Sequence, residues 1–385
     1  MEKKNGLLMV ANWDSNVGYA WWLMEGFWAT IAKEFNEVFT CRIAYPSISV
    51  IPDTIAAVPI TVDHIDMVKC DVRSVIAQCG YLTKHRIKVI YFTDQASRHW
   101  RYLAFRLCGV RTIIVHDHTP GVRTTPVAPK RWVKWLLQRI PFYTADALFA
   151  VSEYIRHRHI EVLCAPAKRC HVVQNGIPEV SPKPIDPYAE FNIPRNHKII
   201  VTVGRLSKYK GIQDALSYLA KISDKNWHYL VIGDGPDSQE LRNLAQSLGL
   251  DANVTFAGKR KDVKDLLPHC CFGIHPSHGE VGFSLAILEL LQAGLPVIVS
   301  TNPSVCGAIT REVGIKYSTP EDAQTAIHLL LNEPGKVESM GIAAKLMVRS
   351  KYSLENTHRQ LINAFGNLLT RQISSNSRRK HNIFK

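Results

Sequence analysis

Strand-length runs of apolar, largely β-branched residues alternate along this chain with stretches of helical spacing, and the alternation occurs twice. In the first half the runs are GLLMVAN, VFTCRIAY, IKVIYFTD, TIIVHDH, ALFAVS and CHVVQNG; in the second they are KIIVTVGR, WHYLVIGDG, NVTFAGK, CFGIHPS and LPVIVS. Helical patterns such as 22–35 and 132–140 lie between them. A run without apolar–polar alternation needs cover on both faces, and a parallel sheet flanked by helices supplies it. The segment VSPKPIDPYAEFNIP, with four prolines, reads as a linker. The pattern predicts an α/β chain of two doubly wound, Rossmann-like domains, 1–180 and 195–360, joined by 181–194 and facing a central cleft. Residues 361–385 read as a C-terminal helix and basic tail returning toward the first domain. Ligands of such sheets gather at the carboxyl ends of the strands.

The 385 residues are 46% hydrophobic and 21% charged, enough for substantial cores and unlike a disordered chain. The nine cysteines include no CxxC pair, so free thiols in a reducing compartment are expected rather than a disulfide framework or a zinc site. MEKKNGLLMVAN reads as a first strand, not a secretory signal, and no apolar run reaches membrane-spanning length. The expected location is cytoplasmic, at most peripheral to the inner face of the membrane. Net charge is +14 and uneven: residues 81–170 hold 16 basic and 5 acidic side chains. Basic and aromatic residues interleave in SRHWRYLAFRLCG (97–109) and PKRWVKWLLQR (129–139). That mixture suits an anionic membrane surface, or less well nucleic acid; a solvated basic face whose tryptophans enter the core fits it equally.

Several segments carry residues suited to chemistry. VTVGRLSKYKGIQDAL puts Gly204, Arg205 and Lys210 on a loop between a strand and a helix. Two cations there suit a diphosphate whose bond to a sugar is breaking, because charge builds on the leaving oxygens. HPSHGEVGFSLAILELLQAGLPVIVS carries Glu280 in a glycine loop and Glu289 in the helix that follows, acceptors able to fix the diols of a sugar or ribose. The same segment also reads as an ordinary βαβ crossover. IIVHDHTPGV ends a strand in His116, Asp117 and His118; either histidine can meet a substrate hydroxyl, or both can be structural. Their spacing has no third metal ligand beside it, so no metal is expected. Gly18 lies in a loop able to touch a phosphate or an acceptor, without the spacing of a dinucleotide fingerprint. VIGDGPD reads as a structural turn, and VTFAGKRKDV places Lys259 and Arg260 where a base or phosphate can lie.

In this order, VSEYIR, VVQNGIP, VGRLSKYKG, VIGDGPDSQELRNLAQSLGL, VTFAGKRKDVKDLL and the glutamate segment resemble the retaining family-four glycosyltransferases of the GT-B fold. The resemblance is strongest from about residue 146 to 300. It implies transfer of a sugar from a nucleoside diphosphate donor to a glycan or lipid-linked acceptor, in polysaccharide or glycoconjugate biosynthesis, without a cofactor or metal. Arg205 and Lys210 would then hold the diphosphate and Glu289 the ribose. Glu280, with backbone N–H groups at Gly282, Phe283 and Ser284, would hold the sugar and a phosphate. His116 would lie beneath the donor sugar, with His118 as second candidate, and the 258–260 loop would pass near the base. Two positions depart from the family pattern E-x-F-G-x4-E: Glu280 and Glu289 differ by nine, and Ser284 replaces a glycine. The rival readings are a sugar-nucleotide epimerase on the same scaffold and a non-catalytic basic binding module.

Overall fold

The computed structural model describes residues 4–17, 21–282 and 284–381, and from residue 371 onward the backbone alone. Gly18 and Phe283 therefore lie outside the described residues. The chain divides into two compact units, Met1–Thr119 with Arg123–Asn175 and Thr357–Lys385, and Pro120–Val122 with Gly176–Asn356.

In the first unit, β1 (Asn5–Val10), β2 (Phe39–Tyr45), β3 (Thr61–His64), β4 (Ile87–Thr93), β5 (Thr112–Asp117), β6 (Ala147–Ala150) and β7 (Cys170–Val172) form one sheet in the order β3-β2-β1-β4-β5-β6-β7. In the second, β8 (Lys198–Val203), β9 (Trp227–Ile232), β10 (Val254–Gly258), β11 (Phe272–His275), β12 (Val297–Ser300) and β13 (Gly314–Tyr317) stand in the order β10-β9-β8-β11-β12-β13. Every ladder is parallel. Strand order reverses beside β1 in one sheet and beside β8 in the other, the doubly wound arrangement.

Burial explains the unbroken apolar runs: β5 and β9 have no exposed position. Leu8, Ile90, Phe92, Tyr102 and Phe105 share the first core; Trp227, Tyr229, Phe272, Leu216 and Ile327 share the second. Each large side chain so buried contributes roughly 1.5–3 kcal/mol. β3 and β13 are additional to the eleven runs read from sequence. Both are four-residue edge strands, TVDH and GIKY, which need cover from one neighbour only and carry no apolar run.

The proline-rich segment is not a free tether. Lys183 N donates to Asp265 Oδ1 at 2.6 Å, Asp186 caps the short helix Pro187–Glu190, and Ile193 is buried, all within the second unit. The unit boundaries fall at 119/120, 122/123, 175/176 and 356/357. VIGDGPD is a structural turn: a Cβ on Gly233 (φ 142°) would lie 1.8 Å from the Gly204 carbonyl oxygen.

Candidate functional site

The loops that follow β8 and β11, the two strands flanking the switch point of the second sheet, meet at its carboxyl end. They are fitted to one another by backbone. Gly211 is left-handed (φ 68°), and a Cβ there would sit 2.1 Å from the Pro276 carbonyl oxygen. His278 N donates to Tyr209 O at 2.9 Å.

This fit brings Lys210 onto Glu280. Lys210 Nζ and His275 Nε2 both meet Glu280 Oε1, the imidazole at 3.0 Å, and Oε2 carries no hydrogen bond among the described residues. Burial alone would raise the Glu280 carboxyl. The hydrogen bond and charge of His275, together with the Lys210 ammonium, outweigh it and hold the pKa at about 2. Ser284, the departure from the glycine pattern, is the N-cap of the helix Leu285–Ala293: its Oγ accepts from Ile287 N at 3.2 Å and lies 3.3 Å from His275 Nε2.

The glutamate loop is tethered from the far side of the sheet's next crossover. Glu280 N donates to Ser304 Oγ (3.1 Å) and Gly282 N to Ser304 O (2.6 Å), while Ser304 is fixed by Asn302 Oδ1. The nine-position interval to Glu289 passes through Gly282, whose φ of 91° only glycine adopts freely. Gly282 N–H is thereby committed to protein, so the expectation that it holds a ligand is corrected. His275, Asn302 and Ser304 were not singled out from sequence. Asn302-Pro303 is a legible helix start, but nothing in it announces the contact with Glu280.

Arg205 is exposed and forms no ion pair or side-chain hydrogen bond among the described residues. Glu289, half-buried in the second turn of its helix, also lacks a partner there, and burial pushes its pKa up to about 7. Lys259 is exposed beyond β10, at the same end of the sheet but on its edge, two strands from β8. Arg260 is paired with Asp262 and Glu190, at 2.6 Å from each. The switch point thus offers one bare guanidinium, one ammonium shared with a carboxylate, and one uncompensated carboxyl. That set matches a ligand with an anionic part and a hydroxyl-bearing part.

In the first unit, His116, inside β5, is fully buried, with Nδ1 2.5 Å from Tyr91 Oη and its ring among Phe27 and Phe149. Burial, reinforced by neighbouring His118, drives its pKa well below the ordinary value. Its Nε2 is buried without a hydrogen-bond partner among the described residues, and its ring lies 4.2 Å from that of His118. His118 lies just past the strand end; both ring nitrogens are buried and without a hydrogen bond among the described residues, and its Nδ1 stands 3.7 Å from Asp94 Oδ1. Asp117 between them is structural: Arg158 Nη2 (3.0 Å) and His159 Nε2 (2.8 Å) hold it.

The family model described as Glycosyl transferases group 1 matches residues 188–347, and that described as Glycosyltransferase Family 4 matches 72–179. An uncharacterized glycosyltransferase of Methanocaldococcus jannaschii is 25% identical over 60% of this chain and 62% of its own. The chain spans less than two thirds of the first curated relatives it matches. An Escherichia coli UDP-Gal:alpha-D-GlcNAc-diphosphoundecaprenol alpha-1,3-galactosyltransferase is 24% identical over 70% of this chain and 72% of its own. Among solved structures, Anabaena Alr3699/HepE in complex with UDP superposes with a TM-score of 0.70 at 16% identity, over 94% of this chain and 100% of that one. Two parallel sheets with these strand orders, matched in turn by the two family models, place the chain: it belongs to the family-four, group 1 glycosyltransferases, and its fold is GT-B.

Proposed function

We propose that this chain moves a sugar from a nucleoside diphosphate donor to a glycan or lipid-linked acceptor, retaining the anomeric configuration, as a step in polysaccharide or glycoconjugate biosynthesis. One observation carries the reading: Arg205, unpaired among the described residues, the Lys210–Glu280–His275 cluster and the uncompensated Glu289 all lie on segments at or following the ends of β8 and β11, the strands that flank the switch point. The bond from the anomeric carbon to the diphosphate breaks, the acceptor oxygen bonds that carbon, and the acceptor's proton leaves with the diphosphate. Arg205 and Lys210 take up the negative charge growing on the leaving group, which is the largest part such a site contributes. No metal is called for, since the two side chains supply the positive charge. Glu280 Oε2 accepts from sugar hydroxyls, and Glu289 accepts from the ribose diol. His116 and His118, whose rings lie 4.2 Å apart, are the histidines offered to substrate in the first unit. A uridine nucleotide is favoured by the UDP found on the Anabaena protein of like fold.

The test is thermal unfolding of the full chain with UDP and a panel of sugar nucleotides. A ligand at a hundred times its Kd stabilises the folded state by about 2.7 kcal/mol. A chain that responds to no sugar nucleotide sinks the reading.

A pH dependence follows from Glu289. Its pKa is raised from 4.5 to about 7, so its contribution to folding is fully present below 4.5 and is lost as pH rises through about 7. Donor binding runs the other way, because the ribose diol needs the ionised carboxylate. Donor affinity is therefore expected to strengthen from about pH 6 to about pH 8, and Glu289→Gln to flatten that slope in calorimetric titrations.

A further inference from the structure

The backbone of the glutamate loop, residues 277–282, is tied down from several sides within the second unit. His278 N donates to Tyr209 O at 2.9 Å, and the completely buried Ser277 Oγ donates to Gly279 O at 3.1 Å. Gly121, whose segment Pro120–Val122 counts with the same unit, donates its N–H to Glu280 O at 3.2 Å. Further ties run to two residues that follow β12. Asn302 Nδ2 donates to His278 O at 2.7 Å, Ser304 Oγ accepts from Glu280 N at 3.1 Å, and Ser304 O accepts from Gly282 N at 2.6 Å. The single hydroxyl proton of Ser304 goes to Asn302 Oδ1 at 2.9 Å, so toward Glu280 N–H the oxygen is purely an acceptor. Asn302 Oδ1 also accepts from Ser304 N at 3.0 Å, and the bond from Nδ2 to His278 O leaves the amide one orientation. Ser304 is completely buried, out of reach of any substrate, so what it does for chemistry it does through Glu280.

At the far end of the same side chain, Lys210 Nζ and His275 Nε2 hold Glu280 Oε1. His275 is the last residue of β11 and is buried, which makes that anchor rigid. A carboxylate held at Oε1 and at its own backbone N–H has one direction left for Oε2; with the backbone end released, Oε2 swings. A misplacement of about 1 Å in such a group costs on the order of a hundredfold. We propose that Asn302 and Ser304 are positioning residues: the relay Asn302–Ser304–Glu280 aims Oε2 at a hydroxyl of the donor's sugar and so sets the preference for sugar-bearing over sugar-free nucleotide. The role rests on the sugar-transfer reading with a uridine nucleotide. UDP itself, which carries no sugar for Oε2 to meet, depends little on the relay.

The experiment uses the full chain. Calorimetric titrations with UDP, UDP-glucose and UDP-galactose give, for each variant, the ratio of sugar-nucleotide affinity to UDP affinity. Ser304→Ala is expected to lower that ratio about tenfold for whichever sugar nucleotide the unaltered chain binds more tightly, with UDP affinity changed by less than about twofold. Asn302→Ala, at a half-buried position, acts on the same hydroxyl and is expected to lower the ratio in the same direction, which keeps the relay measurable if Ser304→Ala does not fold. Thermal unfolding without ligand reports the folding of each variant. Glu280→Ala removes what the relay aims, so Ser304→Ala added to it is expected to lower the ratio no further. An unchanged ratio in both single variants overturns the positioning role, as does a fall in UDP affinity that leaves the ratio in place, or full additivity in the double variant. An unaltered chain that binds none of the three ligands sinks the uridine sugar-transfer reading itself, a result distinct from a chain that binds them with the ratio unmoved.

Discussion

Arg205→Ala is expected to lower kcat/KM for sugar transfer roughly 100- to 1,000-fold, about 3 kcal/mol of transition-state stabilisation. The side chain is exposed and unpaired among the described residues, so its removal should change folding stability by no more than about 0.5 kcal/mol. That separation makes the variant informative: steady-state kinetics should collapse while the melting curve stays in place. Arg205→Lys should recover part of the loss, since it restores the charge but not the planar fork that matches two phosphate oxygens. Undiminished kcat/KM in Arg205→Ala would move the diphosphate away from the switch point, and with it the proposed chemistry.

Asp117→Ala should have the largest effect on stability. Asp117 is buried against Arg158 and His159, which are 3% and 1% exposed. Burial alone would raise its carboxyl; the hydrogen bond and charge of His159 and the charge of Arg158 outweigh that and hold it well below the ordinary carboxylate range. Truncation strips a buried guanidinium of its carboxylate, a change that costs about 3–5 kcal/mol and roughly 10 °C in Tm for a unit of this size. Asp117→Asn, which keeps hydrogen-bonding atoms, should fall between. Because the folded pKa is depressed, this stabilisation is present above the unfolded value of 3.8 and is lost as pH falls below it. Denaturant titrations of both variants measure the effect, and a wild-type midpoint for Asp117→Ala would show the ion pair to be energetically idle.

The two sheets were legible because parallel strands covered on both faces are largely apolar, as in β1, β4, β8 and β9. The short edges β3 and β13 escape that pattern. At the site, the sequence places Arg205, Lys210, Glu280 and Glu289 at strand ends because strand, glycine turn and helix follow one another in the text. What it does not contain is who touches whom. Glu280 meets a lysine 70 positions away and hangs from Ser304, 24 positions on, through contacts that only the assembled sheet creates. The sequence likewise does not show that His116 lies inside β5 and His118 just past its end, with their rings 4.2 Å apart. The tryptophans of 129–139 were open between core and surface. Their helix, Lys130–Leu137, has no buried residue and leaves Trp132 and Trp135 exposed.

The helix that begins at Leu354 has a consequence for how the molecule is made. Its Leu361 and Phe365 are completely buried in the first unit, with Phe365 5.1 Å from the Phe35 ring and 6.1 Å from Tyr91, and Gln360 accepts from Gln174 N. A ribosome therefore finishes β1 to β7 long before it delivers the side chains that close their core. The first unit, although translated first, matures last, and a nascent chain interrupted before Phe365 is left with an aromatic gap for chaperones or proteases to find.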